Sequence, residues 1–137
     1  MKKTKIIIAR PGEESFVTEI TPDYNILTRL VGGSLQETHP IGEDVAILVN
    51  ENGKLEGRLP NRFQSGKHAQ KLIEKGHDSD IYAGTMVIIG SCSEGFVSLT
   101  EDQIELYMDI YKEPNFLYDW ALEEPERSEC ICRIHCM

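Results

Sequence analysis

Three short apolar runs, rich in β-branched residues, most strongly constrain what this chain can fold into. They occupy residues 5–9, 45–49 and 81–89, the last interrupted by Gly84 and followed by Gly90. Each run ends near glycine, proline or asparagine residues, which favour turns. Runs of this length and composition are typical of buried β-strands. The sequence therefore predicts a sheet built around these three strands.

Weaker patterns predict further strands around these three. Residues 16–20 combine apolar and polar side chains and follow the first run after the turn signal Arg10-Pro11-Gly12, so we expect a hairpin. Residues 34–39, 54–58 and 96–99 are also expected to form short strands.

Two segments have helical signals. Between Thr21 and the helix-stopping Gly32, apolar residues recur at helical spacing. A capping box of Thr100 and Gln103 opens a second segment with a clear apolar stripe. Residues 65–76 fit either one modest helix or a loop. The order of strands and helices along the chain predicts an α+β domain, with a largely antiparallel sheet and two or three helices packed on one face.

The charge is distributed unevenly along the chain. The 137 residues have a formal net charge of -9, which argues against non-specific binding to duplex nucleic acid. Residues 101–137 carry -7, whereas residues 57–77 carry +4. The acidic third fits either a solvated helix face plus a tail or a surface offered to a basic partner. The basic segment is compatible with a small anionic ligand.

The apolar runs also bear on location. None approaches the roughly 18 residues that a membrane-spanning helix needs. The run after the basic N-terminus is too short for the core of a signal peptide. We therefore expect a protein of the host-cell cytoplasm with no membrane partner.

An ordered set of stretches resembles a small family of domains of unknown function. This family is met in bacteriophages, prophages, plasmids and some Gram-positive genomes. The resemblance covers residues 5–112 and includes Pro60-Asn61-Arg62 and the motif Ala-Gly-Thr-x-x-Ile-x-Gly at residues 83–90. It implies a small α+β domain carried by mobile elements but no activity, because the family has no assigned catalytic residues. We expect a domain over residues 1–112 and an acidic, aromatic and cysteine-containing extension over residues 113–137.

Two short motifs are the best candidates for a ligand site. In Pro60-Asn61-Arg62, proline fixes the backbone, asparagine offers a donor and an acceptor, and arginine offers a planar fork suited to phosphate or carboxylate. The alternative is a turn whose asparagine caps its own backbone. Gly84 within an apolar run indicates either a packing bulge or close approach of a ligand. The predicted ligand-binding residues are Arg58, Asn61, Arg62, Tyr82, Gly84 and Thr85.

No catalytic residue, cofactor or metal site is predicted. Cys130, Cys132, His135 and Cys136 lie close enough in sequence to suggest zinc, but their spacing is tight for one tetrahedral ion. The alternative is a tail with reduced thiols. The histidines are scattered and show no recognisable catalytic order.

These observations lead us to expect a non-enzymatic binding protein of a phage or mobile element. Its expected role is counter-defence by sequestering a small nucleotide-like immune signal. Because a domain of this size has little room for a deep cavity, the pocket would form between subunits of a homo-oligomer. The alternatives are an acidic, DNA-mimic-like inhibitor of a host defence protein, a small nucleotide hydrolase, and an accessory protein without a small ligand.

Overall fold

The computed structural model describes residues 3–21, 23–52, 61, 68, 69, 71, 74 and 83–112. In this part of the chain the strands are β1 (Thr4–Ala9), β2 (Phe16–Ile20), β3 (Leu35–Thr38), β4 (Val45–Asn50), β5 (Met86–Cys92) and β6 (Gly95–Val97). The helices are α1 (Tyr24–Val31) and α2 (Glu101–Tyr111). His68, Ala69, Lys71 and Glu74 also have helical conformation, and the other residues of the segment 65–76 lie outside the described residues.

The strands form one antiparallel sheet in the order β2-β1-β5-β4-β3. β6 pairs with the C-terminal part of β5, on the same side of β5 that pairs with β1 nearer its N-terminal end. The central strands β1, β5 and β4 contain the three apolar runs, and every residue of β4 is buried. The predicted α+β class, the antiparallel sheet and the hairpin of β1 with β2 are therefore confirmed.

The two helices lie on opposite faces of the sheet. Ile7 and Ile88 pack in one core cluster with Tyr107 of α2. Ile8 packs in a second cluster with Leu27 of α1. Because neighbouring residues of a strand point to opposite faces, the two clusters lie on the two sides of the sheet. The prediction that the helices pack on one face is therefore wrong: continuous apolar strands need cover on both sides.

α2 begins as the sequence predicts, whereas α1 begins at Tyr24, just after the start predicted at residues 21–23. Asp23 caps α1 by accepting a hydrogen bond from the backbone N–H of Asn25 at 2.7 Å, and α1 ends at Gly32, which has a φ of 80°. Thr100 and Gln103 form the predicted capping box of α2, each side chain accepting a hydrogen bond from the other's backbone N–H.

β5 differs from its predicted bounds because of two glycines. Gly84 has a φ of +84°, a conformation that interrupts an extended strand, and regular pairing begins at Met86. At Gly90, where the strand was expected to end, β5 instead continues to Cys92. A Cβ at Gly90 would lie 2.7 Å from the carbonyl oxygen of Val97, so glycine is required for β6 to approach. The strand predicted at residues 54–58 and the extension at residues 113–137 lie outside the described residues.

Candidate functional site

One buried side chain joins β1 to β5 where their pairing ends. Ala9 and Met86 form the last pair between the two strands. Just beyond this pair, Asn61 Nδ2 donates one hydrogen bond to the carbonyl oxygen of Ala9 at 2.6 Å and another to that of Gly84 at 2.8 Å. Asn61 is only 1% exposed. Its amide therefore continues the hydrogen bonding of the ladder after the two strands have separated.

The backbone of Gly84 explains why a side chain is needed at this point. Its positive φ is favoured by glycine and interrupts the extended backbone just before β5 begins. A buried carbonyl that loses its strand partner must find another donor. An asparagine amide carries two hydrogens, so Asn61 can serve Ala9 and Gly84 together. We call this arrangement of Ala9, Asn61 and Gly84 the Asn61 bridge.

The Asn61 bridge contains two of the six predicted ligand-binding residues, Asn61 and Gly84. A third, the half-buried Thr85, directly follows Gly84. Arg58, Arg62 and Tyr82 lie outside the described residues, so their role stays a prediction. Both amide hydrogens of Asn61 are used within the protein. Asn61 would therefore position its sequence neighbours, and its own predicted contact with a ligand stays a prediction.

Arg10, which the sequence pattern places in a turn, lies at the same end of the sheet as the Asn61 bridge. Arg10 directly follows Ala9, is exposed, and places its guanidinium carbon 5.3 Å from the ring centre of Phe16. The turn itself is confirmed, since the N–H of Glu13 donates to the carbonyl oxygen of Arg10 at 3.2 Å. The only sequence signal for a further role was the position of Arg10 at the end of a buried strand.

The opposite end of β5 contributes to an open pocket of different chemistry. This pocket has a volume of about 460 Å³ and is lined by Glu37, His39, Glu43, Asp44, Ser91, Cys92 and Ser93. We call it the acidic pocket. Its three carboxylates disfavour an anionic ligand here. A nucleotide-like ligand would therefore favour the end of the sheet with Arg10 over this one.

His39 organises one wall of the acidic pocket. Its Nε2 lies 2.7 Å from Glu37 Oε2, and its Nδ1 lies 3.1 Å from the carbonyl oxygen of Val45. Burial opposes the charged imidazolium, but these two hydrogen bonds and the carboxylates of Glu37 and Glu43 outweigh it and raise the pKa of His39 above 6.5. Both ring nitrogens face acceptors, so the protonated ring satisfies both.

Asp44 connects the acidic pocket to α2. Its Oδ2 accepts a hydrogen bond from Gln103 Nε2 at 2.9 Å. Burial, and then the charge of Asp44, raise the pKa of Tyr107, which therefore remains a neutral phenol at physiological pH. These contacts hold the start of β4 against α2.

A carboxylate also orients His68. Asp109 Oδ2 lies 2.8 Å from His68 Nδ1 and accepts a hydrogen bond from the His68 backbone N–H at 3.1 Å. The histidines look scattered in the sequence. No short motif links His68 to Asp109, because the two residues are 41 positions apart. For Glu37 and His39 a local signal existed, since residues two apart in an extended chain share a face.

A comparison with protein families covers most of this structure. The family model of the domain of unknown function DUF3846 matches residues 1–112. The chain belongs to the DUF3846 family. The DUF3846 match includes the Asn61 bridge, the acidic pocket and both described helices. No curated protein and no solved structure matches the chain.

The described residues of the DUF3846 domain contain neither a metal-binding cluster nor a membrane-spanning helix. Within residues 3–21, 23–52 and 83–112 and the few described between them, no three His, Cys, Asp or Glu side chains converge to hold a metal ion. Neither described helix is both long and apolar enough to cross a membrane. The four residues considered for zinc, Cys130, Cys132, His135 and Cys136, lie beyond the described residues.

Proposed function

We propose that this chain is a non-enzymatic binding protein that sequesters a small anionic, nucleotide-like ligand at the Asn61 bridge. The observation that carries the proposal is the pair of hydrogen bonds from Asn61 to Ala9 and Gly84. They fix residue 61 against the rigid end of the sheet, and binding residues are often loop residues held on a rigid scaffold. Arg58 and Arg62 belong to the chain that passes through this fixed point.

The chemistry of the neighbouring residues supports an anionic ligand. A guanidinium can bind a phosphate through two parallel hydrogen bonds, and the proposal assigns this role to Arg58 and Arg62, with Arg10 as a third candidate. Tyr82 would stack on a base, because every base presents a flat π-face. The local charge of +4 over residues 57–77 favours phosphate here, in contrast to the acidic pocket.

The biological setting extends the proposal. The resemblance to domains carried by phages and other mobile elements supports a ligand that is a nucleotide immune signal of the host. The protein would act in the host cytoplasm by lowering the free concentration of that signal. A homo-oligomer would deepen the site, since ligand pockets commonly enclose most of a small molecule.

The pairing of His68 with Asp109 favours one second candidate, a small nucleotide hydrolase. A histidine oriented by a carboxylate is a common arrangement for a general base. Both candidates require nucleotide binding, but only the second alters the nucleotide.

The first experiment is a thermal-shift and calorimetry panel with cyclic di-AMP, 3′,5′-cyclic GMP, ATP and inorganic phosphate. A sequestered nucleotide present at about 100 times its Kd stabilises the folded chain by about 2.7 kcal/mol. Arg62→Ala and Arg58→Ala should each weaken binding by about 10-fold or more, because a hydrogen bond to a charged group contributes about 1.5–3 kcal/mol. Arg29→Ala, an exposed arginine of α1, is the matched control.

The second experiment separates the two candidates. After incubation the protein is denatured and the released nucleotide is analysed. Intact nucleotide supports sequestration. An altered nucleotide, with turnover lost in His68→Ala, supports hydrolysis. If no probe raises the melting temperature, or if Arg58→Ala and Arg62→Ala bind as the unchanged chain does, the ligand site is not at the Asn61 bridge.

A further inference from the structure

The edge strand β2 exposes two large apolar side chains. Phe16 is 38% exposed and Val17 is 41% exposed, and they point to opposite faces of the sheet. Among the described strands β2 has a neighbour on one side only, which is β1. Proteins usually cover or charge such an edge, because its free N–H and C=O groups invite pairing with another chain.

The chain leaves α2 directly beside this edge. The backbone N–H of Ser15, the residue before β2, donates to the carbonyl oxygen of Lys112 at 2.9 Å. The Ser15 hydroxyl also donates to the carbonyl oxygen of Tyr111 at 2.6 Å. Ser15 is buried by these contacts. Lys112, the last residue described before this segment, therefore lies next to the start of β2.

The next residues have the length and the composition to cover β2. Five residues of strand span about 17 Å, whereas the eight residues 113–120 reach about 26 Å when extended. The apolar side chains in this stretch and just beyond it are Phe116, Leu117, Tyr118, Trp120 and Leu122.

We propose that residues 113–122 dock along β2 of the same chain. Their aromatic and aliphatic side chains cover Val17 on the face of the sheet that also carries α2. α2, Lys112 and Val17 share one face of the sheet, because Val17 pairs with Ile7, whose side chain lies in the α2 cluster. The docking therefore requires no crossing of the sheet edge. It is independent of the proposed ligand site.

Trp120 is the single tryptophan of the chain, so its fluorescence reports on this segment alone. The test compares the full-length chain with Val17→Lys and with the matched control Val97→Lys, since Val97 on β6 is also exposed, at 42%. In the unchanged chain we expect Trp120 to be shielded from acrylamide and to emit at shorter wavelength than in urea. Val17→Lys should shift emission and quenching towards the unfolded values, while Val97→Lys should leave both unchanged.

Further measurements keep the result decisive. Circular dichroism checks that both variants fold, and size exclusion with light scattering over a dilution series gives the oligomeric state. Shielding that persists in the monomer supports docking within one chain. Shielding that disappears when the protein dissociates assigns the edge to a second copy and overturns the proposal. A Trp120 that is fully quenched in the unchanged chain, or is equally sensitive to both substitutions, also overturns it.

Discussion

Replacing Asn61 by aspartate exchanges the amide NH2 group for a carboxylate oxygen with almost no change of shape, so it tests the Asn61 bridge directly. An ionised aspartate donates no hydrogen bond, and it would place a carboxylate where the amide nitrogen now lies 2.6 Å and 2.8 Å from two carbonyl oxygens. Both carbonyls lose this donor, and a negative charge is held at a position that is 1% exposed. We expect Asn61→Asp to lower the free energy of unfolding substantially.

The magnitude follows from the two lost bonds. Leaving one buried acceptor unsatisfied costs about 1–3 kcal/mol, so two cost about 2–6 kcal/mol. This is a large part of the roughly 5–15 kcal/mol by which a domain of this kind is stable. The loss should also depend on pH. Burial and the facing carbonyls would raise the folded-state pKa of the new aspartate above its unfolded value of about 3.9, so the destabilisation shrinks as pH falls through the folded pKa.

The measurement is urea unfolding followed by circular dichroism at pH 7 and pH 5. Asn61→Ala should lose a similar amount at pH 7 but show no such pH dependence. Asn25→Asp makes the same chemical change at an exposed residue of α1 and should change stability by less than about 0.5 kcal/mol. If Asn61→Asp is as stable as Asn25→Asp, the bridge does not hold β1 to β5 and the reasoning fails.

Substitutions at three further positions test other parts of the fold by urea unfolding. Thr100→Ala removes the cap of α2 and should cost about 1 kcal/mol, whereas Thr100→Ser should cost less. Gly90→Ala places a Cβ 2.7 Å from the carbonyl oxygen of Val97 and should cost about 1–3 kcal/mol; an unchanged stability would contradict the close approach of β6. The raised pKa of His39 contributes stability that is complete below pH 6.5 and lost as pH rises through the folded pKa, so His39→Gln should remove this dependence.

Local signals were enough to predict most of the elements. The capping box at Thr100 and Gln103 depends on residues three apart, and the hairpin of β1 with β2 depends on one turn. The apolar runs in β1, β4 and β5 identified the central strands because each run is short and bounded by turn residues. Such features involve neighbours in the chain, so a single sequence contains the information.

The placement of the helices on both faces of the sheet was predictable in part from the composition of β4. Val45, Ala46, Ile47 and Leu48 are all buried, so adjacent residues of β4 face two apolar layers. A strand covered on one face only would alternate with polar residues. The unbroken apolar run therefore indicates cover on both faces, which is what α1 and α2 supply.

The contacts of the candidate site could not be read from spacing. Asn61 meets Ala9 and Gly84 from 52 and 23 residues away, and His68 meets Asp109 from 41 residues away. No periodicity links residues at such separations. The sequence indicated that Asn61 lies in a turn suited to a ligand site. Only the structure shows that its amide donates to the last residue of β1 and to Gly84, just before β5.

This use of Asn61 changes how the ligand proposal has to be tested. Because its amide hydrogens are already engaged, a loss of binding in Asn61→Asp would follow from a disturbed strand end even if no ligand touched the side chain. Arg62→Ala removes a charge without breaking the bridge, so stability and affinity separate in that variant. A ligand site at the bridge predicts that Arg62→Ala unfolds like the unchanged chain and binds less, whereas a purely structural Pro60-Asn61-Arg62 turn predicts unchanged binding. The comparison of these two variants therefore decides between the two interpretations of the motif.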